Sequence, residues 1–419
     1  MSVLDHIQKS FIKKESIYGP DNYKPLPVVL SKAKGVWVWD ICEKKYLDMM
    51  SGYSAVSHGH AHPVLLKTFH DQSSRLSLTS RAFYTDTLGP YLETITQMTG
   101  FEMALPMNSG AEAVETAIKS SRRWAYRTKK VEENKAEIIV AEGNFHGRTT
   151  TIISFSTDEN SRKDFGPHTP GFVAVEYGSS KAIEDAITPN TAAVIIEPIQ
   201  GEGGIIVPPD NYLNEVRAIC TKHNVLMILD EIQSGLGRTG KLFAYQHSCG
   251  QCSCGENLCE VQPDGLILGK ALGGGFMPVS VFLSSEEVLG WMDTGSHGST
   301  FGGNPLASAL AKRSLELLYE ENLIENSRVM GDYFKEQLTV LDSELIVEIR
   351  GMGLWLGVEI DQKYISGNEL SKTLLEAGIL CKETHENTIR FAPPLVVTKE
   401  ELDWGIEKIA KVFSEVTKS

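Results

Sequence analysis

Between residues 138 and 283 the chain alternates short apolar runs with stretches long enough to form helices. The runs at 138–141, 172–176, 192–197, 225–229, 265–269 and 279–283 are almost wholly apolar. A strand with one solvated face would alternate polar and apolar residues, so each run predicts a strand covered on both sides. The stretch 209–223 has the length and periodicity of an intervening helix. Buried strands separated by helices predict the α/β class: a large, doubly wound, mostly parallel sheet, whose ligands bind at the carboxyl ends of the strands.

From Pro305 onward the pattern changes. Helical periods at 306–321 and 324–341 precede short strands near 354–360 and 388–391, and a closing helix starts at Lys399. This predicts a smaller α+β domain over residues 305–419. Residues 1–59, with short strands at 36–40 and 45–48, are expected to pack against it, leaving 60–304 as the large domain.

The formal net charge of −14 changes the picture for partners more than for fold. An acidic surface repels phosphate backbones and anionic lipid, so neither nucleic acid nor a membrane is expected as a partner, while small anionic substrates remain open. Residues 1–19 carry Asp5, Glu15 and scattered lysines but no apolar core and no arginine. They predict neither a secretory signal nor a transit peptide, and the cytoplasm is the expected location. The apolar runs are all too short to span a bilayer.

Three segments carry candidate chemistry. In Gly265-Leu266-Ile267-Leu268-Gly269-Lys270 an apolar strand ends at a lysine, and Gly273, Gly274 and Gly275 follow closely. An amine held in a site of low polarity can lose its proton and attack an aldehyde. In Val225-Leu226-Met227-Ile228-Leu229-Asp230 a buried strand delivers an acid to its carboxyl end, where it could keep a pyridine nitrogen protonated. In Asn108-Ser109-Gly110-Ala111 a helix opens whose apolar face runs through Val114, Ala117, Ile118 and Trp124. Ser109 and the amides of Gly110 and Ala111 would be free donors at a positive helix end, which suits a phosphate. Singly, these features read as a surface lysine, a cap or metal ligand, and a plain capped helix. Jointly they supply what pyridoxal 5′-phosphate (PLP) requires: an amine, a pyridinium partner and a phosphate cradle.

Longer motifs extend over residues 23–394. They include Asn22-Tyr23-Lys24-Pro25, Tyr53-Ser54-Ala55-Val56, Arg81-Ala82-Phe83-Tyr84, Glu197-Pro198-Ile199-Gln200-Gly201-Glu202, Ser299-Thr300-Phe301-Gly302-Gly303-Asn304-Pro305 and Ile389-Arg390-Phe391-Ala392-Pro393. With them the chain resembles the class III (fold type I) PLP aminotransferases, and among these the ornithine δ-aminotransferases most. The resemblance implies that Lys270 holds PLP covalently and moves the substrate proton, that Asp230 pairs with the ring nitrogen, and that Gln233 approaches the ring hydroxyl. It implies that Phe145 stacks on the ring, and that Ser109, Gly110 and Ala111 bind phosphate together with Thr300 of a neighbouring subunit. That makes the expected assembly a homodimer with shared active sites. For substrates it implies Arg148 and Tyr23 on the α-carboxylate of L-ornithine, and Tyr53 along the substrate channel. Arg390 would grip 2-oxoglutarate, with Glu202 masking that arginine while the amine donor is bound. His146 stands where ornithine-specific members often carry tryptophan, which keeps another ω-amine donor (N-acetylornithine, 4-aminobutyrate, lysine or a diamine) open as the alternative.

The resemblance says nothing about the insertion at 247–259. Cys249, Cys252, Cys254 and Cys259 could supply a tetrahedral thiolate set for a structural zinc, and an iron–sulfur centre is also chemically allowed. Free thiols or a disulfide are the alternatives. Cys42, Cys220 and Cys381 stand alone, as small buried hydrophobes usually do.

Overall fold

The computed structural model describes residues 3–249, 261–341 and 343–418. Its centre is a seven-stranded sheet of β1 (Met103–Met107), β2 (Glu137–Ala141), β3 (Phe172–Val175), β4 (Thr191–Ile196), β5 (Leu226–Asp230), β6 (Gly265–Leu268) and β7 (Ser280–Ser284), in the spatial order β1-β7-β6-β5-β4-β2-β3. The neighbours from β3 to β6 pair in parallel, and β7 runs antiparallel to both β6 and β1. Every residue of β4, β5, β6 and β7 is buried, as their mainly apolar runs require. The mostly parallel α/β architecture is therefore as expected. One strand was not: β1 contains Pro106 and is only partly buried. It lies at the edge of the sheet, where a residue without an N–H leaves no ladder bond broken.

Two four-stranded sheets flank the large one. The first runs Leu30–Lys34, Trp37–Asp40, Lys45–Asp48 and Ile379–Leu380, and the last two strands pair in parallel, joining the ends of the chain. The second is antiparallel, in the order Ile346–Met352, Trp355–Ile360, Thr388–Phe391 and Lys382–Thr384. Helices Pro305–Glu320, Leu323–Val340 and Lys399–Val416 contribute buried faces to a continuous core that includes Met49, Leu229, Phe334 and Phe391. Among the described residues no helix is long and apolar enough to cross a membrane.

Glycine is required where Leu323–Val340 meets the turn between Ile346–Met352 and Trp355–Ile360. A Cβ on Gly331 would lie 2.1 Å from the carbonyl carbon of Gly353, and Gly353 itself has φ +56°. Helix and turn are in backbone contact, so neither can yield cheaply. Gly331→Ala is expected to cost about 3 kcal/mol, the upper range for overpacking, read as a fall in the urea midpoint. An unchanged midpoint would show that the helix can retreat.

Candidate active site

The functional side chains gather at the carboxyl ends of the parallel strands. Asp230 closes β5, Lys270 stands two residues beyond β6, Glu197 follows β4, and Phe145 and His146 lie in the loop after β2. Helix Gly110–Trp124 starts three residues past β1. These segments enclose a cavity of about 210 Å³ lined by Gly110, Ala111, Phe145, His146, Asp230 and Lys270, with Glu197, Ile199, Ile232 and Gln233 also in its wall.

Lys270 adopts φ +45°, a left-handed conformation rare for a residue with a Cβ. Its Nζ donates to Gln233 Oε1 at 2.7 Å. Burial pushes the ammonium down to about 8, against the opposing charge of Glu202. Asp230 is buried and two-fold engaged: Oδ1 accepts from the Ile232 amide at 3.0 Å, and Oδ2 lies 2.7 Å from His146 Nδ1. Burial alone would lower the His146 pKa, but its bond to Asp230 and the charges of Asp230 and Glu197 outweigh this and raise it. The imidazole thus donates to the carboxylate and fixes its orientation.

Glu197 was not singled out from the sequence, although it stands after an apolar strand as Asp230 does. Its Oε1 accepts from the Phe145 amide at 3.0 Å and its Oε2 from the Gly201 amide at 3.1 Å. Burial pushes its carboxyl up to about 7. It ties the loop that carries Phe145 to the loop that carries Glu202.

Glu202 and Arg390 meet in a two-point pair, Nη1 to Oε1 at 2.6 Å and Nη2 to Oε2 at 3.0 Å. Arg390 is 2% exposed. Burial would raise the Glu202 pKa, but the guanidinium outweighs it and holds the carboxyl below its usual range. The Arg390 guanidinium also lies 5.2 Å from the centroid of the Tyr53 ring. Tyr53 and Tyr23 line an outer groove together with Lys382, and Tyr23 is largely exposed. Arg148 is exposed, its guanidinium 5.7 Å from the Phe145 ring centroid.

Two expectations are corrected. The Ser109 hydroxyl is not a free donor: it donates to Glu112 Oε2 at 3.0 Å and accepts from the Glu112 amide at 3.2 Å, a capping box. Only Gly110 and Ala111 line the cavity. In the insertion, Cys249 is buried and disulfide-bonded, so its sulfur is no thiolate for zinc or an iron–sulfur centre. Cys252, Cys254 and Cys259 lie outside the described residues, and among those described no group of three or more His, Cys, Asp or Glu could hold a metal ion. Thr300 is exposed and does not line the Lys270 cavity.

The family model for class-III aminotransferases matches residues 18–413. The chain belongs to this family. This class-III aminotransferase is 53% identical over 402 residues to the ornithine aminotransferase of Brevibacillus brevis, covering 96% of this chain and 97% of that one. The solved ornithine aminotransferase of Toxoplasma gondii superposes with a TM-score of 0.94 at 42% identity, covering 98% and 95% of the two chains. An acetylornithine aminotransferase from Elizabethkingia anophelis superposes with a TM-score of 0.86 at 43% identity, covering 97% and 99%. The backbone is thus common to class-III aminotransferases with different donors.

PLP is the cofactor expected of a class-III aminotransferase, and the cavity fits it. Among the described residues Gln233 Nε2 is a buried amide donor without a partner, which matches a phenolate oxygen. At the helix end, a Cβ on Gly110 would lie 2.9 Å from Ile232 Cδ1, and one on Gly147 would lie 2.9 Å from Ala111 Cβ. Only bare backbone lets these loops close around the first amides of the helix.

Proposed function

We propose that this chain transfers the δ-amino group of L-ornithine to 2-oxoglutarate, giving glutamate 5-semialdehyde and glutamate. The observation that carries the reading is the two-point pairing of the buried Arg390 with Glu202. While that pair is closed, the strongest carboxylate site near Lys270 is masked. An amino acid must then place its α-carboxylate elsewhere, on Arg148 and Tyr23, so that its far amine faces Lys270. When Glu202 turns away, the Arg390 fork accepts the second carboxylate of 2-oxoglutarate. Bound PLP supplies the electron sink for the carbanion formed at the substrate carbon.

The remaining chemistry falls to the chain. Lys270 Nζ, neutral above about pH 8, takes the substrate proton and returns it. Asp230, oriented by His146, would keep the ring nitrogen of PLP protonated, and Gln233 would donate to its ring oxygen. Phe145 would stack on the ring, and the Gly110 and Ala111 amides would receive the phosphate at the helix end that Ser109 caps. Burial and the Glu202 charge raise the Tyr53 pKa, so its phenol stays protonated while it orients the donor.

A donor panel tests the reading. Half-reaction spectra should show the visible absorbance of the bound cofactor lost fastest with ornithine, and Tyr53→Ile should damage ornithine turnover far more than that of N-acetylornithine or 4-aminobutyrate. Equal losses on all three donors would instead favour a different ω-amine substrate.

The assembly is proposed to be a homodimer in which Thr300 reaches the neighbouring subunit's phosphate. An exposed aromatic patch supports this: Phe83 is 68% exposed and Phe301 50%, and Arg81 Nη1 joins their segments by donating to Gly302 O at 3.4 Å. Light scattering that returned the mass of one chain would overturn it.

A further inference from the structure

Arg238 is fully buried, yet among the described residues it forms no ion pair. Its guanidinium is instead shared among three segments. Nη1 donates to Leu354 O at 2.9 Å and to Pro393 O at 2.6 Å; Nη2 donates to Ser57 Oγ at 2.9 Å and, more weakly, to Ser51 Oγ at 3.4 Å. Nε has no partner. Burial pushes the group down to about 9, with Asp48 opposing. A buried charge held by neutral acceptors alone is a costly way to fill space, so its placement asks for a reason.

The acceptors supply one. Ser51 and Ser57 bracket a turn in which Ser51, Gly52, Tyr53 and Ser54 all have positive φ, at +43°, +58°, +58° and +68°. Three of the four are not glycine, so the turn persists only where its surroundings hold it. Asp48 holds one side, its Oδ1 accepting from the amides of Met50 and Ser51. On the other side the Ser57 hydroxyl, which accepts from Arg238, donates to Ser54 O at 3.0 Å. Pro393 lies three residues beyond Arg390 on the same segment. The Ser51 hydroxyl donates to Ala392 O at 2.7 Å, and Leu395 N donates to Ser57 O at 2.7 Å. The same guanidinium therefore fastens the turn that presents Tyr53 to the strand end that presents Arg390.

We propose that Arg238 is a positioning residue for amine-donor selection, clamping the left-handed turn of Tyr53 against the segment of Arg390. The proposal rests on the donor assignment above and deepens it. A planar fork is needed because the acceptors lie in three directions; a lysine ammonium in the same place cannot reach all of them.

The test is a double-mutant cycle on the holoenzyme with Arg238→Lys, Tyr53→Ile and the double variant. Arg238→Lys is expected to lower kcat/KM for ornithine about tenfold, the size of one charge-assisted hydrogen bond, mainly through KM. Visible cofactor absorbance should be retained. In the Tyr53→Ile background the same replacement should change kcat/KM by less than about twofold, since its route of action is already gone. An equal loss in both backgrounds, or a loss falling on kcat alone, would overturn the proposal. Should Arg238→Lys fail to fold, Ser57→Ala takes its place in the same cycle: it removes the nearer turn-side acceptor together with that hydroxyl's own bond to Ser54 O, and the same coupling to Tyr53 is expected. If the wild type prefers 4-aminobutyrate to ornithine, the donor assignment fails. The cycle, run with the preferred donor, still tests whether Arg238 acts through Tyr53.

Discussion

Lys270→Ala is expected to lower turnover by more than about 10⁴-fold, because one residue serves as both covalent anchor and proton carrier. Overall folding should be retained, since the lysine faces the cavity and its amine bonds only to Gln233 Oε1 among the described residues. Lys270→Arg should not rescue activity, because a guanidinium does not deprotonate in this range. The pH dependence has a definite sign. The Lys270 amine is pushed down to about 8 by burial, so the neutral fraction grows as pH rises toward that value and is nearly complete above it. Capture of the PLP aldehyde by the apoenzyme, followed by stopped-flow absorbance, should accelerate about tenfold per unit well below pH 8 and level off above it, as expected for a reaction of the free amine. A rate still climbing at pH 10 would mean that the amine keeps an ordinary lysine pKa.

Glu202→Ala should change what the enzyme does as well as how fast. It strips Arg390, 2% exposed, of its carboxylate and leaves a buried guanidinium to recruit the nearest anion. The α-carboxylate of an amino acid is that anion, and binding there presents the α-amine to Lys270 in place of the δ-amine. Ornithine δ-transfer is expected to fall about 10²-fold, in line with the truncation of buried hydrogen-bonded charge pairs, while α-amine transfer from glutamate rises. The readout is the ratio of glutamate 5-semialdehyde to 2-oxo acid products by mass spectrometry. A variant that lost both activities equally would show that Glu202 supports the site without masking Arg390.

What could be read from the sequence follows from how local each signal is. β5 and β6 are runs of apolar residues ending at Asp230 and Lys270, so strand, burial and functional end are written in consecutive residues. Glu197 carries the same signal directly after β4, but the motif that contains it points to Glu202. The strand Met103–Met107 was missed because an edge strand with a proline has no uninterrupted pattern to show. Helix Val3–Tyr18 was missed because its described side chains are almost all exposed, leaving no buried stripe to set a period. The capping role of the Ser109 hydroxyl was legible in Ser109 and Glu112, whose spacing is that of a capping box, and was overridden by the phosphate reading. The Arg390–Glu202 pair spans 188 positions, and no periodicity links such residues; only the family motifs suggested it. The left-handed turn of Tyr53 and the clamp of Arg238 were out of reach, because Ser51, Tyr53 and Ser54 are not residues that advertise positive φ.

The central claim is that Lys270 is the amine that holds PLP. Borohydride reduction of the holoenzyme, followed by digestion and peptide mass mapping, fixes the cofactor to whichever lysine carries it. The account predicts a single phosphopyridoxyl label on the peptide containing Lys270. A label on another lysine, or none on a protein that retains the cofactor's colour, would contradict it.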